Sequence, residues 1–177
     1  MTTITVGGLP GTGTSTLCRL LAEKTGMPYH YAGALFREEA KRRGMSLAEF
    51  GVLCQKDPSI DEALDDRQLF LLKRGNLILE GRLSGWLAQR HRLHAIKIWL
   101  VCQEDVRLRR LVDRDGGTIE EQADLTWERE ASEADRYRRY YGVDLNDTSY
   151  YDLVLDSTHL LPETLAEQIL AVVEKKV

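Results

Sequence analysis

The chain has 177 residues, 43% hydrophobic and 29% charged, which is ordinary for one soluble globular domain with a single core. A net charge of −4 excludes a surface built to coat nucleic acid, and no apolar run approaches the ~20 residues of a membrane span. Cys18, Cys54 and Cys102 are odd in number and widely scattered, without metal-ligand spacing, so reduced cysteines in a cytoplasmic protein are expected.

The first element is a short apolar strand from Ile4 to Gly8, reached within three residues, so no signal peptide is expected. It enters the glycine-rich run Gly8-Leu9-Pro10-Gly11-Thr12-Gly13-Thr14-Ser15-Thr16 and then an amphipathic helix from about Ser15 to Lys24. The spacing G-x-x-x-x-G-T-S is that of a phosphate-binding loop, with Thr14 where the pattern has lysine and Ser15 where it places a hydroxyl on Mg²⁺. Gly8, Gly11 and Gly13 are expected to supply positive φ, so that successive N–H groups and the helix N-terminus face an anion. One mobile cation is missing, and a replacement must come from elsewhere in the chain.

Pro28 to Tyr31 reads as a second strand, and a helix follows from Gly33 to Gly44. Ser46-Leu47-Ala48-Glu49 is a capping box for another, and Asp57-Pro58 opens a third that Gly75 closes. The 33–75 stretch is too long for a plain crossover and suggests a substrate-binding insert. Asn76 to Arg82, Ala95 to Val101 and Tyr151 to Leu155 read as buried strands, and His91 to His94 as a polar loop. Helices are expected from Glu104 to Arg114, from the capping box at Thr118 to Tyr141, and from Pro162 onward. Strands alternating with helices give a parallel sheet covered on both faces, with ligands at the carboxyl ends of the strands, where Gly8, Glu80 and Arg82 fall.

Arg107, Arg110 and Arg114 share one helix face, and Leu108, Leu111 and Val112 would dock the other. Arg129 and Arg136 stack two turns apart on the next helix, with Arg138 and Arg139 following. Joined across Gly116-Gly117, the two helices read as a hinged lid whose guanidinium groups meet bound phosphates. The competing reading of the long helix, with Glu120, Glu121, Glu128, Glu130, Glu133 and Asp135 among its arginines, is a solvated face laced with weak ion pairs. Glu80 reads either as a metal-side carboxylate or as the partner of Arg82. Arg37 reads either as an anion clamp or as one half of a surface pair. Asp61 and Asp65, with Arg67 near, read either as base or ribose contacts or as surface ion pairs. Tyr137, Tyr140 and Tyr141 read as packing residues.

Taken together, Gly8 to Thr14, Ala32-Gly33-Ala34-Leu35-Phe36-Arg37-Glu38, Gly44 to Phe50, Asp57 to Asp61 and Leu64-Asp65-Asp66-Arg67-Gln68 carry a resemblance that spans almost the whole chain. Leu79-Glu80-Gly81-Arg82-Leu83-Ser84-Gly85-Trp86, Ser132 to Tyr137 and Tyr141 to Asp144 continue it in order. The chain resembles the archaeal-type (type 2) cytidylate kinases, among the P-loop nucleoside monophosphate kinases. The resemblance implies an α/β, three-layer P-loop kinase fold with a central parallel sheet of about five strands. It implies one domain over 1–177, with a helical acceptor-binding insert at 33–75 and a short lid at 115–135. It implies transfer of the γ-phosphoryl group of ATP to CMP or dCMP with Mg²⁺, in the cytoplasm, by a monomer or a homodimer.

By the same resemblance, Gly8, Leu9, Pro10, Gly11, Thr12, Gly13, Thr14, Ser15 and Thr16 hold the ATP phosphates, and Ser15 and Glu80 hold Mg²⁺, directly or through water. Arg37 and Arg82 match arginines that grip the acceptor monophosphate, with Gly33, Asp61 and Arg67 on the same side. Arg110 and Arg114 match the pair before the lid, and Arg136 one after it. Ala34 and Asp66 depart from the family pattern in the acceptor insert. The alternatives are a kinase of the same fold for another nucleotide or shikimate, and a nucleotide-binding module that does not transfer.

Overall fold

A computed structural model describes residues 2–176. Five strands, β1 (Ile4–Gly8), β2 (Tyr29–Tyr31), β3 (Ile78–Glu80), β4 (Ile96–Val101) and β5 (Leu153–Asp156), form one sheet in the order β2-β3-β1-β4-β5. Every pairing is parallel. Val6 and Tyr31 both pair with Glu80, so the loop after β1, the end of β3 and the start of the insert share one edge of the sheet.

Helices cover both faces, as near-continuous apolar strands require. Against one face lie α1 (Thr14–Thr25) and α8 (Pro162–Lys176), whose Leu17, Leu21, Leu165 and Ile169 pack on Ile4, Val6, Ile78 and Ile98. Against the other lie the end of α4 (Pro58–Arg74), α5 (Ser84–Arg90) and the end of α7 (Ile119–Tyr141). The sequence reading leaves α5 out. With seven residues it is too short to show a helical period, and its second position is Gly85, where a Cβ would sit 2.5 Å from the Tyr151 ring. Tyr151, read as a strand residue, instead precedes β5 and packs on Trp99 with ring centroids 5.3 Å apart.

The insert comprises α2 (Ala32–Arg42), α3 (Leu47–Lys56) and α4, and has a small core of its own around Phe50, Cys54, Ile60 and Leu64. The capping boxes form as the sequence requires. Ser46 Oγ accepts from Glu49 N–H at 3.2 Å, Thr118 Oγ1 accepts from Glu121 N–H at 3.2 Å, and Asp57 Oδ1 accepts from Ser59 N–H at 3.1 Å. After α6 (Glu104–Asp115), Gly116 and Gly117 both take left-handed φ, 81° and 82°, and turn the chain into α7. The expected lid boundary at 135 falls inside this continuous helix. Among the described residues, no helix is long and apolar enough to cross a membrane.

Candidate active site

A cleft of about 930 Å³ opens at the carboxyl edge of the sheet and takes in the β1–α1 loop, Glu80, the first turn of α2, one side of α4 and parts of α6 and α7. The loop is held from outside. Leu9 O accepts from Thr12 N–H at 3.2 Å and Thr12 Oγ1 at 2.8 Å, and Pro10 O accepts from Arg107 Nη1 at 3.0 Å. Gly11 O accepts from Arg110 Nη1 at 3.4 Å, and Thr12 O from Ser157 Oγ at 2.7 Å. With Leu9 O closed on Thr12 inside the loop and the next three carbonyls fastened to the body of the protein, the remaining N–H groups are left for an anion. Helix α1 begins at Gly13 with no side-chain cap, so its first donors are also unspent.

The three loop glycines have different reasons. Gly11 (φ 81°) and Gly13 (φ 90°) are left-handed, as expected. Gly8 is not: it ends β1, and a Cβ there would meet Thr12 Oγ1 at 2.6 Å and Leu100 O at 3.1 Å. Space, rather than positive φ, selects it.

Glu80 sits buried where the loop meets α1. Its Oε1 accepts from Thr14 Oγ1 at 2.6 Å and Ser15 Oγ at 2.8 Å, and its Oε2 accepts from the Tyr29 hydroxyl. Burial and Glu80 together push the Tyr29 phenol well up, so it stays a neutral donor. Glu80 therefore does not pair with Arg82, which donates to Glu133 and to Gly8 O at 3.2 Å. Thr14 replaces the mobile ammonium with a hydroxyl that anchors this carboxylate. A carboxylate hydrogen-bonded to the Ser15 hydroxyl, beside an anion nest, is a hard oxygen donor set of the kind that would suit Mg²⁺.

On the acceptor side, Arg37 lines the cleft 4.8 Å above the Tyr31 ring centroid and has no carboxylate partner among the described residues. The surface pair considered for it, with Glu38, does not form: Glu38 lies 3.9 Å from Arg67, and Glu39 is held by Arg42 and Arg43. Gly33 lines the same wall, where a Cβ would come within 2.6 Å of the Tyr31 hydroxyl. Asp61 is no surface residue: it is buried, with Oδ2 3.0 Å from Arg136 Nε but poorly aligned for a hydrogen bond. Arg67 is not brought into the cleft. It is half exposed, 3.9 Å from Glu38. The departures Ala34 and Asp66 are exposed and likewise outside the lining.

The long arginine-bearing helix fits neither sequence reading alone. Arg139–Asp135 is an exposed pair of the weak kind, and Arg138 and Arg139 lie away from the cleft. Arg129 and Arg136 line it. Arg107 is a correction: it is buried, pairs with Glu130 at 2.6 Å, and props the loop instead of reaching a ligand. Arg110 is also fastened, with Nη2 2.8 Å from Ser157 O. Arg114 is different: its side chain is 65% exposed and pairs only with adjacent Asp115, at 2.7 and 2.5 Å.

Three residues escape the sequence reading. Arg19 lines the cleft from α1, one turn beyond Ser15, with no motif to mark it. Glu133 is buried and binds both Arg82 and Arg129; burial would raise its pKa, but those guanidinium groups and Arg136 outweigh it and hold it lowered. Gln68 lines the cleft from α4, buried beside Asp65.

Burial, outweighing the hydrogen bond from Tyr141, pushes Asp65 up from its ordinary 3.8 to about 7. The native state thus binds more protons than the unfolded one between about pH 4 and 7, and Asp65 makes stability fall as pH rises through that window. Asp65→Asn is expected to shrink the drop in Tm between pH 5 and pH 8, by roughly 2–4 °C for each kcal/mol removed in a domain of this size. A drop unchanged in the variant would place that titration elsewhere.

Comparison with known proteins agrees with this geometry. The model of the cytidylate kinase-like family matches residues 3–159. The chain is 47% identical to a cytidylate kinase of Methanococcoides burtonii, over 88% of this chain and 87% of that protein. It is 44% identical to one of Methanoregula boonei, over 97% and 94%. Among solved structures it resembles an uncharacterized protein of Eubacterium ventriosum (TM-score 0.73, 17% identity, 98% of both chains). A shikimate kinase of Bacteroides thetaiotaomicron also resembles it (TM-score 0.63, 15% identity, 98% of both chains), and at such identities the likeness concerns fold alone.

Proposed function

The chain belongs to the cytidylate kinase-like family and is a nucleoside monophosphate kinase, and from that premise we propose that it transfers the γ-phosphoryl group of ATP to CMP, and to dCMP, with Mg²⁺. The observation that carries the reading is a single cleft with an anion nest on one wall and Arg37 on the other, carrying no acidic partner among the described residues, with Glu80 and Ser15 between them.

Two polyanions meeting in line need neutralisation, alignment and exclusion of water, and a phosphate oxygen is already an adequate nucleophile without a general base. Residues 8–16 hold the triphosphate by main-chain N–H groups. Mg²⁺, when bound, supplies charge neutralisation on the donor phosphates, and Ser15 and Glu80 are the residues that would hold it. Arg37 grips the acceptor phosphate. Arg82, aimed by Glu133 and tied to Gly8 O, joins it from the foot of the loop. The 33–75 insert encloses the acceptor, and the 115–135 hairpin turns at Gly116-Gly117 to bring Arg114 onto the transferring group, with Arg110 and Arg136 flanking. Arg67 has no part in this reading.

Steady-state turnover with ATP and a panel of CMP, dCMP, UMP, AMP and shikimate tests it. CMP and dCMP are expected to give the highest kcat/KM, about 10-fold or more above AMP. Turnover of AMP or shikimate equal to that of CMP would overturn the assignment.

A further inference from the structure

Resting on the CMP reading, we propose that Gln68 selects the acceptor base by presenting its side-chain oxygen to the exocyclic amine of cytosine and so refuses uracil. Gln68 is 6% exposed and lines the cleft from α4. Its Nε2 donates to Asp65 Oδ1 at 2.8 Å, while its Oε1 is buried with no donor. A buried acceptor left unpaired is costly, and native structures keep such groups where a ligand or water completes them. The oxygen lies at the strand-end wall: a Cβ on Gly81 would stand 3.0 Å from it and 2.9 Å from Ala32 Cβ. Gly81, without a side chain, lets the Gln68 oxygen and the Ala32 methyl come this close to the strand end.

The sign of the group offered is fixed by its neighbours. Once Asp65 is ionised, above about pH 7, turning the amide over would set its oxygen against the Asp65 oxygen, acceptor against acceptor. Asp65 is itself held by the Tyr141 hydroxyl, which donates to Oδ2 at 2.6 Å. Tyr141 and Gln68 thus both donate to Asp65, which turns the Gln68 amide so that its oxygen is left over as an acceptor. At the 4-position cytosine carries an amine donor and uracil a carbonyl acceptor, so the first pairs with Oε1 and the second is repelled. Phe36, Leu64 and Tyr137 on the same wall supply apolar surface for the ring. Asp65 acts here as a positioning residue, through Gln68.

The test compares kcat/KM for CMP, UMP and the 2-pyrimidinone nucleoside monophosphate, which lacks the amine. With the wild-type chain, deleting the amine is expected to cost about 10- to 100-fold, and uracil more. In Gln68→Ala, CMP and the pyrimidinone should become equal, because no acceptor remains to reward the amine. Asp65→Asn, which lets the amide turn over, should narrow the CMP-to-UMP ratio chiefly through KM. The proposal is overturned if the wild-type chain uses the pyrimidinone as well as CMP, a comparison that needs no variant to fold. It is equally overturned if Gln68→Ala loses CMP and pyrimidinone turnover in the same proportion. Wild-type turnover of AMP equal to that of CMP would instead sink the CMP reading itself.

Discussion

Arg114→Ala is expected to lower turnover by about 10³-fold or more, while CMP affinity at equilibrium changes by less than about 10-fold. Arg110 is already tied to Gly11 O and Ser157 O, Arg82 to Glu133 and Gly8 O, and Arg136 lies against Asp61, so these three are held in place before any ligand binds. Arg114 is bound only to its exposed neighbour Asp115, a surface pair of the kind worth about 0–1 kcal/mol, so releasing it toward a phosphate costs little. It stands two residues before Gly116 and Gly117, both at left-handed φ, where a small backbone rotation would change the angle between α6 and α7. A contact made only when the α6–α7 hairpin closes on the transferring group raises kcat without contributing to ground-state binding. Turnover and CMP binding, measured separately, decide it: a variant with intact kcat and weakened CMP would place Arg114 on the acceptor.

Glu80→Gln is expected to lower turnover by about 10²–10³-fold and to raise the Mg²⁺ concentration needed for half-maximal rate. The change keeps the shape but removes the charge and replaces one acceptor oxygen with a donor. Thr14, Ser15 and Tyr29 all donate to this carboxylate, so the amide would face hydroxyls that must turn round to accept. Ser15, the hydroxyl offered to the metal, loses its orientation with them. Nucleotide binding through the main-chain N–H groups should persist without metal, because Arg107, Arg110 and Ser157 hold those peptides independently of Glu80. A Mg²⁺ titration of the rate, beside ATP binding in chelator, separates the two effects. An unchanged Mg²⁺ requirement would remove Glu80 from the metal site.

The contrast between Gly8 and Gly13 shows how far local patterns reach. That a glycine is needed at each is visible in the loop spacing, but the reasons differ. Gly13 answers its own backbone, with nothing within 4 Å of a Cβ there, whereas Gly8 answers Leu100 and Thr12, one of them on a strand 92 positions away. Arg107, Arg110 and Arg114 make the same point on one helix: identical residues at helical spacing end as a buried prop, a loop fastener and an exposed guanidinium held only by the adjacent Asp115. Their roles depend on which turn of α6 meets the loop. No periodicity encodes that.

By itself the sequence determined the strands, all the helices but α5, the caps at Ser46, Asp57 and Thr118, and the loop and parallel sheet that set an anion site at one edge. Those features depend on neighbours within a few residues, on the apolar period and on backbone preference, which are written locally. Tertiary structure alone decided that Glu80 turns to Thr14, Ser15 and Tyr29 and not to Arg82. It also decided that Asp61 is buried against Arg136, that Arg67 lies outside the cleft, and that Gln68 faces it with an oxygen unpaired. Most of these are choices among polar partners far apart in the chain. Burial makes the wrong partner costly there, and only the assembled fold fixes which groups are left in reach.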